Sequence, residues 1–250
     1  MKQKFFLVAV FALLLTRTDN VLATVMISNL DQLWTSGGMG NFETVTPGYG
    51  HGFMFGTGAN PYILDTVTLE ELGGPGSVQV QLYAVQGDPL ASRNPNLVLA
   101  GNLGNPAVDP RPTQWPTTTS FIDYTPVTSI TLEPHTYYLI TATEPVNGND
   151  DTALTFNFNY SYTVSGDWAV DQSVTAYWTY YGSNPPPALL NGWMPDDYSG
   201  SMMIEVDATS VPEPSSCVLL LLCCALLGIR GFHCGALTRS RGCAKCADLN

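Results

Sequence analysis

Residues 153–163 of this chain alternate strictly, with Phe156, Phe158, Tyr160 and Tyr162 on one parity and Thr155, Asn157, Asn159 and Ser161 on the other. A period of two puts one set on each face of a β-strand, so the segment hides its aromatics only as part of a sheet lying on a core. Residues 77–85 repeat the pattern, with Val78, Val80, Leu82 and Ala84 on one face. Stretches 24–30, 52–55, 62–72, 97–101, 119–124, 136–143, 173–181 and 201–207 are further strand candidates, rich in β-branched and aromatic residues. Gly73-Gly74-Pro75-Gly76, Gly87-Asp88-Pro89 and Asn147-Gly148-Asn149-Asp150 punctuate them as turns. No segment sustains a helical period. About ten short strands with Gly and Pro punctuation predict an all-β domain over residues 24–208, an antiparallel β-sandwich of jelly-roll-like type.

Charge narrows what such a domain touches. Of the 21 acidic residues, eighteen fall within residues 24–208, against only Arg93 and Arg111 and no lysine, a formal charge near −16 with histidines neutral. Nucleic-acid binding requires a basic footprint, and attraction to anionic lipid requires the same, so both are excluded as the work of this region. An acidic surface suits solubility, divalent cations or a polymer matrix, where mutual repulsion keeps copies apart. All six cysteines lie at or beyond Cys217. A domain of this size buries enough core to do without disulfides, even in an oxidising space.

The two ends carry addresses. Lys2 and Lys4 precede an eleven-residue apolar block, 5–15, and Val21 and Ala23 stand at the −3 and −1 positions of a signal-peptidase site. Residues 1–23 are therefore expected to be a signal peptide cut after Ala23. Eleven apolar residues are too few to span a bilayer. Near the other end, Val211-Pro212-Glu213-Pro214-Ser215 precedes the apolar run 217–229 and then Arg230, Arg239, Arg241 and Lys245. With Arg230 snorkelling, the apolar stretch reaches Phe232 and approaches the lower limit for a transmembrane helix. The basic residues beyond it predict a cytoplasmic tail and an exported domain. Pro214 disfavours helix at Glu213, leaving an extended peptide ahead of the membrane. The expected division is a linker at 209–216, a transmembrane helix at 217–232 and a basic tail at 233–250.

Val-Pro-Glu-Pro-Ser, a short apolar helix and an arginine-bearing end resemble the PEP-CTERM sorting signal of Gram-negative bacteria. The resemblance implies an exosortase-type processing enzyme that reads Pro212, Glu213 and Pro214, with Arg230 as the stop for the membrane segment. It also implies an inner-membrane precursor delivered to the cell surface or extracellular matrix. The family's tail usually ends within a few residues of the arginines, whereas this chain continues for twenty beyond Arg230. Within that extension Cys243-x-x-Cys246 has metal-ligand spacing but no second paired motif. The extension is read as discarded with the signal. Ile27-Ser28-Asn29-Leu30, Phe55-Gly56-Thr57-Gly58, residues 62–69, residues 78–83 and residues 132–139 resemble the choice-of-anchor R domain. That resemblance implies a surface-placed β-sandwich and brings no catalytic residues.

Candidate sites inside the domain are sparse. His51, in Tyr49-Gly50-His51-Gly52, is expected to be an exposed loop residue, and no G-x-S-x-G motif accompanies it or His135. Asn147, Asn149, Asp150 and Asp151 cluster oxygen ligands as a speculative calcium loop, without the spacing of an EF-hand. Trp115 and Trp193 sit in loop-like surroundings and are candidates for stacking on a polysaccharide. No other cofactor is expected. The leading reading is a non-catalytic structural or adhesive protein. A calcium-assisted carbohydrate-binding module is the alternative, and a secreted hydrolase comes third. N-terminal sequencing of the exported protein is expected to begin at Thr24; a start before residue 15 would refute the signal-peptide reading.

Overall fold

The computed structural model describes residues 23–31, 41–45, 49–72, 78–87, 89, 95–112, 119–144, 153–157, 162–170, 177–181, 193–195 and 201–211. They form fifteen strands and no helix. The strands are β1 (Thr24–Ser28), β2 (Asn41–Thr44), β3 (Tyr49–Gly56), β4 (Tyr62–Leu72), β5 (Gln79–Gln86), β6 (Asn96–Val108), β7 (Thr119–Pro126) and β8 (Thr131–Leu132). They continue with β9 (Tyr137–Thr143), β10 (Ala153–Asn157), β11 (Thr163–Val164), β12 (Tyr177–Tyr181), β13 (Trp193–Pro195), β14 (Ser201–Met202) and β15 (Ile204–Ser210). The chain divides into two compact units, Met1–Val211 and Pro212–Asn250. The second lies outside the described residues, and with it the expected linker motif, transmembrane helix and tail.

Every ladder among the described residues is antiparallel, and the main strand order is β11-β1-β15-β4-β7-β6-β5-β9-β3-β12-β13. The long β4 matches the 62–72 stretch residue for residue and sits between β15 and β7. Its inward residues Leu64, Val67 and Leu69 meet Ile204, Val206 and Ala208 of β15 and Ile122 and Tyr124 of β7 in the main core. Val80 and Leu82 are fully buried in that core, with Val78 and Ala84 packed against it, as their common parity requires. Leu154 and Tyr162, from the even-numbered positions of the 153–163 alternation, also reach it. Asn29 extends the β1–β15 ladder past the end of β1. Its side-chain amide donates to the Met202 carbonyl at 2.9 Å, and its oxygen accepts from the Ile204 N–H at 2.7 Å.

The expectation of strands with one buried face fails at β9. Tyr138, Ile140 and Ala142 join the main core, while Leu139 on the opposite face joins a second cluster with Met54, Tyr83, Val85 and Leu97. That cluster crosses four neighbouring strands, β3, β9, β5 and β6, so the sheet is covered on both faces there. The near-continuous apolar run of β9 is the sequence mark of such a strand.

The sheet curls on itself, and one short segment shows how. Thr163 and Val164 pair with Ser28 and Ile27 at one end of the strand order. Five residues later Ala169 exchanges two backbone hydrogen bonds with Gly56 of β3, near the other end, at 2.8 and 2.9 Å. Between them the chain turns at Gly166, whose φ of +66° suits glycine. The strap then lowers Trp168 into the core, where its ring stacks on Phe55 (centroids 5.3 Å, 7° apart) and meets Tyr62 edge-on at 5.2 Å. Asp167 accepts from the Ala59 N–H at 2.5 Å. A Cβ at Gly58 would lie 1.7 Å from that carboxylate, so glycine is what lets the strap seat.

Because β9 is buried on both sides, Leu139→Ala and Ile140→Ala are each expected to cost about 2–5 kcal/mol of stability. Urea denaturation of the two variants checks this; a loss at Ile140 alone would show that the second face is not packed.

Candidate functional site

The described polar chemistry gathers on the outer face of β15, β4 and β7. The register of β15 against β4 pairs Asp207 with Thr66 and then Ala208 with Leu64, leaving Asp65 as the extra residue of a β-bulge. The bulge turns Asp65 to the same face as Asp207, where its carboxylate accepts from Thr209 Oγ1 at 2.6 Å. One rung further, Glu205 lies opposite Thr68, and Thr68 lies opposite Asp123 and donates to it at 2.7 Å. Four carboxylates thus share one patch. Arg111 bridges its edge, with Nε 2.6 Å from Asp109 and Nη1 2.7 Å from Glu205, and its guanidinium lies 5.6 Å from the centroid of Phe121.

The crowding shows in the protonation of Asp207. Burial is the main cause, with Glu205 adding to it and Arg111 opposing; Asp123 and Asp65 add smaller amounts. Together they push its carboxyl up to about 6. Glu70, buried on the same face, is also raised by desolvation, opposed by the hydroxyl of Thr119, which donates to it at 2.8 Å.

Glu71 points the other way. Two consecutive glutamates in a strand cannot share a face, and Glu71 is fully buried on the core side, accepting from the Tyr124 hydroxyl at 2.5 Å. Burial and the neighbouring charge of Glu71 hold the Tyr124 phenol well above its usual range. His51 corrects the sequence reading: it lies in β3, not in an exposed loop, and is fully buried. It is paired with Ala142 and Thr179, with the ring of Tyr49 edge-on at 4.6 Å. Gly50 and Gly52, on either side of it, are themselves paired in the ladders of β3 with β9 and β12.

Of the residues singled out from sequence, Ala23 is exposed immediately ahead of β1. Trp193 lies in β13, paired with Tyr180, rather than in a loop. Asn147, Asn149, Asp150 and Asp151, Trp115, and Pro212, Glu213, Pro214 and Arg230 fall outside the described residues. Among the described residues no three or more His, Cys, Asp or Glu side chains are grouped to hold a metal ion.

No family model matches the chain, and no curated protein matches it. Its chemistry is therefore read from its own geometry. The carboxylates of Asp65, Glu70, Glu71, Asp109, Asp123 and Glu205 are engaged by threonines, a tyrosine and one arginine, most of them on neighbouring strands.

A carboxyl held above its unfolded value, 3.8, contributes stability when protonated. The contribution of Asp207 is present below that value and is lost as pH rises through about 6. Asp207→Asn removes the ionisation and is expected to raise stability at pH 7 by about 1 kcal/mol after discounting for solvent screening. Denaturation midpoints of variant and parent at pH 4 to 7 check this; parallel curves would show that Asp207 does not titrate in that window.

Proposed function

We propose that this chain is an exported protein of the cell surface or extracellular matrix, delivered by a PEP-CTERM-type signal and an exosortase-type enzyme. Its body is a non-catalytic β-sandwich of jelly-roll type, resembling the choice-of-anchor R domain, that works structurally or by adhesion, with extracellular polysaccharide as its partner. The observation that carries the reading is the pair of addresses that bracket a single β-rich stretch. Two features of the fold support it. The first described strand starts at Thr24, immediately after the expected signal-peptidase cut. Among the described residues the last backbone hydrogen bond is donated by Val211, one residue before Pro212. The described strands run from Thr24 to Ser210, inside the interval between the two addresses, and β15 runs two residues past the boundary expected at 208. The acidic outer patch, tied down by Arg111, agrees with a surface that avoids nucleic acid and anionic lipid.

In this reading the precursor is held in the inner membrane through residues 217–232 until the segment is removed. Changing Pro212, Glu213 and Pro214 together to alanine removes two fixed backbone angles and favours helix, which draws the cutting site into the membrane segment. The altered protein is expected to remain in the inner membrane at full precursor size less the signal peptide, while the parent loses its C-terminal segment and reaches the surface or medium. Fractionation with intact mass decides it; identical size and location for both would reduce the motif to a linker.

A further inference from the structure

The sheet sets a limit on where a processing enzyme can work, an inference that rests on the sorting reading above. Peptide-cutting enzymes hold their substrate extended and use its unpaired backbone edge, as a sheet edge accepts an added strand. Over most of its length β15 has no such edge. From Glu205 to Ala208 it is paired with β1 on one side and with β4 on the other, and the N–H of Ile204 is taken by Asn29. Ile204, Val206 and Ala208 are buried in the core. Cover from β1 stops at Ala208, opposite Thr24, the first residue of that strand. Thr209 and Ser210 remain paired with Ile63 and Tyr62, and the Val211 N–H donates to the Pro61 carbonyl at 3.0 Å.

We propose that the folded body fixes the upstream limit of its own C-terminal processing. Once β15 has docked, no peptide bond between Ile204 and Val211 is open to cutting, so the sorting segment is removed without loss from the last strand. Docking also orders the two events. β15 lies between β1 and β4, so a body whose last strand is not yet in place remains open to destruction inside that strand. The cut is a hydrolysis: the carbonyl carbon–nitrogen bond breaks, the hydroxyl of water goes to the carbonyl carbon, and its proton goes to the nitrogen of the released segment.

The test exposes the full chain in detergent to a dilute broad-specificity protease and measures the intact mass of the surviving body, alongside the mass of the protein exported by cells. Both bodies are expected to end at Val211 or beyond; a folded body ending before Val211 in either case overturns the proposal. Val211→Pro deletes the last hydrogen bond, since proline has no N–H, and leaves the core intact. The protease end-point of this variant is expected to retreat into Thr209–Ser210 with an unchanged thermal midpoint, and an unmoved end-point counts against the limit. Val206→Asp places a charge in the core and should speed cutting within residues 204–208 roughly tenfold or more, because cleavage follows the open population; unaltered resistance also counts against it. A chain left uncut by cells would sink the sorting reading instead, and the protease arm would then decide the limit alone.

Discussion

A sheet with one apolar face is stable only when that face is hidden from water, and here the hiding is done by the sheet itself. Curling brings β1 and β3, remote in strand order, within reach of one short strap that ends in Ala169. The strap adds little apolar area apart from one ring. Its neighbours Gly166, Asp167 and Ala169 are exposed, and only Trp168 is driven inward. The position of that ring depends on three local choices: the left-handed turn at Gly166, the missing Cβ at Gly58, and the carboxylate of Asp167 on the backbone of Ala59. Each of the three helps to seat the ring between the two margins of the curl.

The second constraint is electrostatic. A body carrying eighteen acids and two arginines has almost no opposite charge with which to neutralise itself. It answers in two ways. Threonines on neighbouring strands donate to the carboxylates of Asp65, Asp123 and Glu70, giving each a hydrogen bond without a cation. Where the crowding is greatest, Arg111 holds Asp109 and Glu205 at once. Burial, with Glu205 adding to it, pushes the carboxyl of Asp207 up to about 6.

Strand existence was legible from the residues because period-two alternation and Gly–Pro punctuation are local signals. They marked out β4 to its ends and placed Val78, Val80, Leu82 and Ala84 on the core. What alternation does not carry is partnership. It cannot show that β9 is covered twice, that β15 is inserted between the first strand and the fourth, or that Asp65 is the extra residue of a bulge, since each depends on strands distant in sequence. His51 was misplaced for a related reason. Glycines on both sides of a histidine read as a loop, yet glycine is also what a strand uses where its neighbours approach closely. The short β2, β8 and β13 escaped because two to four residues are too few to establish a period. The outer acidic patch left one mark in the sequence, the adjacent Glu70 and Glu71, one of which had to face inward.

The antiparallel pairing of the first and last strands has a mechanical consequence. Thr24 lies opposite Ala208, so the first and last described strands run side by side. A pull arriving through Val211 acts along the axis of β15, at right angles to its hydrogen bonds with β1 and β4. Those bonds are strained in shear and must yield together, whereas a strand lifted from its end gives up one bond at a time. A body held from this end would resist drag along the direction in which its chain leaves the sheet.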